Sequence, residues 1–369
     1  MSAPIPDADP AELGLDPARL ERLCARIEAD IMAGHHPGAQ VAVARHGQIA
    51  LFRSFGEARL GVKAGPETLW LLYSNTKVIT AAAIWALAED GALRLTDRVA
   101  QHLPGFEAGG KEGITFIQLL THQAGFPSAE MPQAAWEDAA KQREVVCGFA
   151  LEWEPGSRVR YHPAAAHWTA AAVIGAITGE DFRVYIRRRI IVPLGLADEL
   201  FVGMQSGEQR RAADMHDVDG TPRMPECTQA HRAAGIPGGG GYGTARAMAA
   251  FYQSLIHGGA LGANRILSPR MIAYAVRNYT GDRIDEYNGV PMHRGLGPHL
   301  RGDTAAARGL GAIAHPLTFG HGGVGSSYCW ADPVSGLSFA FLSNTRQTDE
   351  FHGPRMDTLS TLAHAALIS

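Results

Sequence analysis

The sequence predicts an α+β fold in which one antiparallel sheet, built from both ends of the chain, is flanked by helices and a mainly helical lobe is inserted between the two ends. Three observations predict it. Strand and helix signals occur together at both termini, and the sequence between them reads mostly as helices. The 369 residues, 46% of them hydrophobic, exceed what one small core organises. The expected division is a sheet domain over 1–80 and 232–369 and a helical lobe over 81–231, with a functional site between them.

The elements follow in order. Residues 17–33 read as an amphipathic helix capped by Asp16 and opened by Pro17, with Leu20, Leu23, Cys24, Ile27 and Ile31 at helical spacing. "AQVAVARHGQIALFRSFG" is two strand-like runs joined at His46-Gly47, the pattern of a hairpin. Helical patterns over 75–89, 115–121, 163–178, 181–192 and 244–257 are separated by stretches such as "HQAGFPSAEMPQ", "EWEPGS" and "GIPGGGGYG". Near the end, "SYCWADPVSGLSFAFLSN" reads as strand, turn and strand, and a last helix is expected over 354–367.

Composition excludes several classes. With 33 basic and 37 acidic residues and a net charge of −4, nothing points to nucleic acid. The apolar runs 78–88 and 168–178 are too short to span a bilayer, and "MSAPIPDADPAELGLDP" lacks the basic and apolar parts of a signal peptide, so no membrane partner and a cytoplasmic location are expected. Cys24, Cys147, Cys227 and Cys329 are widely spaced, as reduced core thiols would be. His216, Asp217 and Asp219 match no metal-ligand spacing, so no metal or cofactor is expected. "GGGGYG" at 238–243 fits Gly-x-Gly-x-x-Gly but follows no apolar strand, and reads as a backbone turn.

One motif carries chemistry. Ser74-Asn75-Thr76-Lys77 is a Ser-x-x-Lys in a chain with 15 serines and only four lysines. Chance predicts about 0.16 such matches. On a helix, the serine and lysine lie one turn apart on the same face. A serine there can simply cap the helix. However, Val78, Ile79, Ala81, Ala82, Ala83, Ile84 and Trp85 make the helix apolar on nearly every side, which leaves Lys77 little water. A buried lysine needs a partner or a depressed pKa. Tyr161, ahead of a helix expected to start at Pro163, is a candidate partner, and His321-Gly322-Gly323 leads into a strand where glycines allow close approach to the backbone.

Taken in this order, these motifs resemble the serine β-lactamase and penicillin-binding-protein superfamily, in its class C β-lactamase-like branch, and are most similar to family VIII carboxylesterases. Further stretches that carry the resemblance are "LTDRVAQHLPGF", "ITFIQLLTHQAGFP", "EPGSRVRY", "IIVPLGL" and "GHGGVGSSYCWADPVSGLSFAFLSN". The resemblance implies a β-lactamase-like fold, Ser74 as nucleophile, and Lys77 and Tyr161 as the pair that takes its proton. It also implies an oxyanion hole from the backbone N–H groups of Ser74 and Val324. Two positions depart from the lactamase pattern. Tyr-x-Asn reads Tyr161-His162-Pro163, and Lys-Thr-Gly reads His321-Gly322-Gly323. Both departures favour simple esters over lactams.

The expected reaction is acyl transfer from a small-molecule ester through a covalent Ser74 ester. An ordinary lysine is neutral about once in 2,500 molecules at pH 7, and holding it half neutral costs about 4.6 kcal/mol. Either Lys77 or Tyr161 can be the base. Neutral His321 is expected to offer one N–H to the substrate, and Phe126, Met131 and Trp136 are candidates to line an apolar pocket, with ordinary loop packing the commoner role for such residues. The rival readings are an acyltransferase, a D-amino-acid peptidase or amide hydrolase on the same scaffold, and a catalytically silent binding protein. Oligomeric state is not legible in the sequence.

Overall fold

A computed structural model describes residues 5–306 and 308–368. Helix α1 (Pro17–Met32) opens with Asp16 accepting a hydrogen bond from Ala18 N, and Leu20, Leu23, Cys24 and Ile27 face inward. The hairpin β1 (Gly38–Arg45) and β2 (Gln48–Arg59) turns at His46 and Gly47, with φ of 52° and 76°. Positive φ at both turn residues gives the twist that matches paired strands. Strand β3 (Val62–Lys63) follows. The far end of the chain supplies β4 (His299–Leu300), β5 (Phe319–Gly323), β6 (Ser327–Asp332) and β7 (Leu337–Ser343).

These strands form a seven-stranded antiparallel sheet in the order β4-β5-β6-β7-β1-β2-β3. The two ends of the chain meet where β7 pairs with β1, placing Val41 opposite Phe341. All eight residues of β1 are buried, so both faces of the sheet are covered. The faces differ in residue size. Val41, Val43, Phe339 and Phe341 pack with α1 and α5 (Asp349–His364), whereas Ala42, Ala44, Ala331 and Ala340 face the core that contains α4 (Ala245–Ile256). Small side chains on that face let α4 lie close to the sheet.

Between the two ends run α2 (Thr76–Glu89) and α3 (Ala165–Thr178). Twelve consecutive residues of α2, Thr76–Leu87, are buried. A helix apolar all round is a core helix. Just ahead of α2 in the chain, Trp70–Leu71 joins a three-stranded sheet with Gly241–Gly243 in the middle and Leu200–Val202 beyond it. The glycine-rich stretch therefore ends in a strand. No helix among the described residues is long and apolar enough to cross a membrane, and all four cysteines are unpaired.

Several boundaries differ from the sequence reading. The last helix starts at Asp349, not 354, and Pro354 lies inside it. Proline favours the first helical turn, which drew the expected start to it, but Thr348 takes the N-cap position. The 181–192 pattern divides into an α-helix Phe182–Ile186 and a wider turn Arg187–Ile191. The helix expected from Pro163 begins at Ala165.

Phe341→Ala should lower unfolding free energy by about 3–5 kcal/mol in urea titration, since the ring is fully buried between sheet and helices. Leu60→Ala, at a side chain 96% exposed, should change it by less than about 0.5 kcal/mol.

Candidate active site

Ser74 sits in a single 3-10 turn, Tyr73–Asn75, that leads into α2, and it caps no helix. The turn is strained: Tyr73 has φ of 43°, a conformation that costs a bulky residue energy. Local bonds hold it there. Thr76 Oγ1 donates to Tyr73 O at 2.7 Å, Gly241 N donates to Thr76 Oγ1 at 2.9 Å, and Tyr73 OH donates to Glu226 Oε1 at 3.1 Å. Strand β6 of the main sheet adds a clamp. Asn75 Nδ2 donates to Leu72 O and to Ser327 Oγ, and Ser327 Oγ donates to Leu72 O. Gly323 makes this approach possible: a Cβ there would lie 2.5 Å from Leu72 O and 2.2 Å from Ser327 Oγ.

Lys77 is fully buried, as its apolar helix predicts. Its Nζ lies 2.7 Å from Pro163 O, 2.6 Å from Gly238 O and 3.1 Å from Ser74 Oγ. Gly238 allows its carbonyl this close, because a Cβ there would meet Pro163 O at 3.1 Å and Nζ at 3.3 Å. Burial, and then the Arg294 charge, push the Lys77 pKa well below the usual lysine range. The geometry accommodates a neutral amine: two N–H groups donate to the carbonyls and the lone pair meets the Ser74 hydroxyl.

Tyr161 OH donates to Ser74 Oγ at 2.6 Å. Burial raises its pKa above the ordinary phenol value, against the opposing effects of Ser74 and Arg294. Both shifts favour a protonated phenol beside a neutral amine. Sequence reasoning missed what holds the tyrosine. Asp285 Oδ1 accepts from Tyr161 N at 3.2 Å, and the buried Asp285 pairs with Arg294 at 2.6 Å. The Arg294 guanidinium stands 5.1 Å from the centre of the Tyr161 ring. Neither Asp285 nor Arg294 sits in a recognisable motif, so only the folded chain reveals them.

A cavity of about 480 Å³ opens on this group, lined by Ser74, Tyr161, His321, Gly322, Gly323 and Val324 among others. His321 requires a correction. Burial, then Lys77 and Arg294, keep its pKa well below the usual histidine value. It is neutral as expected, but its only N–H is spent: Nδ1 donates to Gly322 O at 2.7 Å. Nε2 is therefore an acceptor, with no protein partner among the described residues. Phe126 and Trp136 are not on the cavity wall. Phe126 is fully buried against Phe106, Phe149 and His162, and Trp136 packs on His231. Met131 is also off the wall, buried in the core beside Trp136, whose indole N–H donates to its carbonyl. An aromatic in a loop carries no sequence signal for whether it faces a cavity or the core.

Known proteins match this chain over most of its length. The Beta-lactamase family model matches residues 24–361. A putative D-alanyl-D-alanine carboxypeptidase of Salmonella enteritidis PT4 is 26% identical, over 91% of this chain and 85% of that protein. Among solved structures, a family VIII carboxylesterase superposes with a TM-score of 0.85 at 29% identity, covering 96% of this chain and 98% of the other. A penicillin-binding protein homologue from Caulobacter crescentus gives 0.83 at 28% identity, with 96% and 99% coverage.

A fluorophosphonate should add once, at Ser74, as read by intact mass and peptide mapping. The labelling rate should fall as pH drops through the depressed Lys77 pKa, because the protonated amine has no lone pair to accept a proton. Lys77→Arg should slow labelling nearly as much as Lys77→Ala, since arginine stays charged and cannot shed its proton. Fast labelling of Lys77→Arg would show that a positive field suffices.

Proposed function

The chain belongs to the Beta-lactamase family, and on that premise we propose that it is a serine hydrolase of short-chain carboxylic esters. Ser74 Oγ attacks the ester carbonyl while its proton passes to the neutral amine of Lys77, 3.1 Å away. The backbone N–H groups of Ser74 and Val324 stabilise the oxyanion. Tyr161 OH, 2.6 Å from Ser74 Oγ, hands a proton to the departing alcohol and is reprotonated from Lys77. Water then attacks the acyl-enzyme by the same route in reverse, its proton taken by Lys77, which releases the acid and restores the serine.

The observation that carries the ester reading is the tautomer of His321. A lactam or a peptide ending in a free carboxyl group presents a carboxylate, which needs a donor or a cation. At the position where the lactamase pattern has a lysine, this chain presents a neutral imidazole whose available nitrogen is a lone pair. Pro163 stands where that pattern has an asparagine amide, and its carbonyl is occupied by Lys77. A simple ester needs neither group. The same point weighs against a carboxypeptidase reading, although a sequence relative is so described.

The test compares kcat/KM for p-nitrophenyl butyrate and nitrocefin on one preparation. Each missing hydrogen bond to a charged group is worth about 1.5–3 kcal/mol, so losing two predicts an ester preference of roughly 10²–10⁴-fold. Nitrocefin turnover equal to the ester's would overturn the reading. Tyr161→Phe should lower kcat strongly at nearly unchanged thermal stability, because the ring packing stays.

A further inference from the structure

We infer that the cavity selects esters that carry an uncharged hydrogen-bond donor, a hydroxyl or an amide N–H, on the group lying against β4 and β5. This rests on the ester-hydrolase reading and adds its substrate class. Three imidazoles line the same cavity as Ser74; the Arg355 guanidinium engages His352 Nδ1, and the other two are His321 on β5 and His299 on β4. They are 4% and 3% exposed. Their ring centres are 5.7 Å apart, so both can serve one substrate group.

The hydrogen bonds fix both tautomers. His321 Nδ1 can only donate to the Gly322 carbonyl, which leaves Nε2 as a lone pair. Tyr328 OH donates to the Arg308 carbonyl, so towards the Tyr328 hydroxyl oxygen, 2.6 Å away, His299 Nε2 is the donor, and its Nδ1 is left as a lone pair. Neither His321 Nε2 nor His299 Nδ1 has a protein partner among the described residues. Burial and nearby cations keep both rings neutral, which preserves these lone pairs. A buried acceptor left without a donor is costly, and a ligand that supplies one removes the cost.

The surroundings decide which donor fits. Carboxylates and carbonyls meet lone pair with lone pair, and the guanidinium groups on this wall are already engaged, Arg294 by Asp285 and Arg308 by the Pro291 and Arg301 carbonyls. Ammonium groups meet the guanidinium groups of Arg294 and Arg308 on the same wall. Of the acidic groups on the cavity, Asp357 is engaged by Gly309 N and Gly311 N, and Asp349 opens α5. Uncharged donors satisfy the acceptors without opposing the cations.

Matched esters in which a hydroxyl replaces a methyl group test this on both sides of the scissile bond. These pairs are 3-hydroxypropyl against butyl butyrate, and methyl 3-hydroxybutanoate against methyl 3-methylbutanoate. We expect the hydroxylated member of at least one pair to have about ten-fold or higher kcat/KM. In His321→Leu that ratio should collapse towards one, whatever the absolute rate. Monomethyl glutarate and 3-(dimethylamino)propyl butyrate, the anionic and cationic arms, should fall below the hydroxylated esters. Ratios near or below one in both wild-type pairs, or a cationic ester that outruns them, would overturn this inference while leaving the ester reading intact.

Failure of every ester would remove the ester reading instead. The donor site is then decided without turnover, by the imidazole ¹⁵N resonances of the wild-type protein. Adding 1,3-propanediol should shift His321 Nε2 and 1-butanol should not. An unmoved resonance, or one that already carries a proton, overturns the proposal.

Discussion

Removing one amine from water governs the construction of this site. Lys77 is held by two carbonyls and Ser74, inside a helix with no solvated face. Burial weakens the ammonium form, and Arg294 weakens it further. In the unfolded chain the same lysine is charged at neutral pH, so the unfolded state binds the extra proton. Stability is therefore lower below the folded-state pKa and is regained as pH rises towards the ordinary value of 10.5. The fold tolerates this cost to keep a lone pair beside the serine.

Much of the surrounding chain follows from that requirement. The two carbonyls come from segments far from Lys77 in sequence, one ahead of α3 and one from the glycine-rich stretch beside the three-stranded sheet. A side chain at 238 would crowd both the amine and Pro163 O. The serine turn is likewise pinned from outside, by Ser327 of the main sheet and Glu226 of a distant loop. Strain at Tyr73 persists because these contacts over-determine it.

Arg294 links the two halves of the electrostatics. Its pairing with Asp285 fixes the backbone of Tyr161, and its charge disfavours protonation of Lys77 and His321. Burial, reinforced by this one cation, thus holds an amine and an imidazole neutral. The result is a cavity whose wall holds two buried nitrogen lone pairs, normally masked by protons or water, without protein partners among the described residues.

The sequence by itself determined the elements whose signal is local. The Asp16-capped helix, the His46-Gly47 hairpin and the burial of Lys77 were legible because periodicity, turn chemistry and an unbroken apolar run act over a few residues. The Ser-x-x-Lys spacing and the resemblance of its flanking stretches brought Ser74, Lys77 and Tyr161 together in expectation, and these three side chains meet within hydrogen-bonding distance. Tertiary structure alone decided the rest. Asp285 and Arg294 carry no local pattern, Phe126 and Trp136 face away from the cavity, and Pro354 lies within a helix it was expected to begin. The tautomer of His321 shows the reason most plainly. A sequence gives the imidazole two nitrogens, but which one keeps the proton depends on a carbonyl placed 2.7 Å away by the strand geometry.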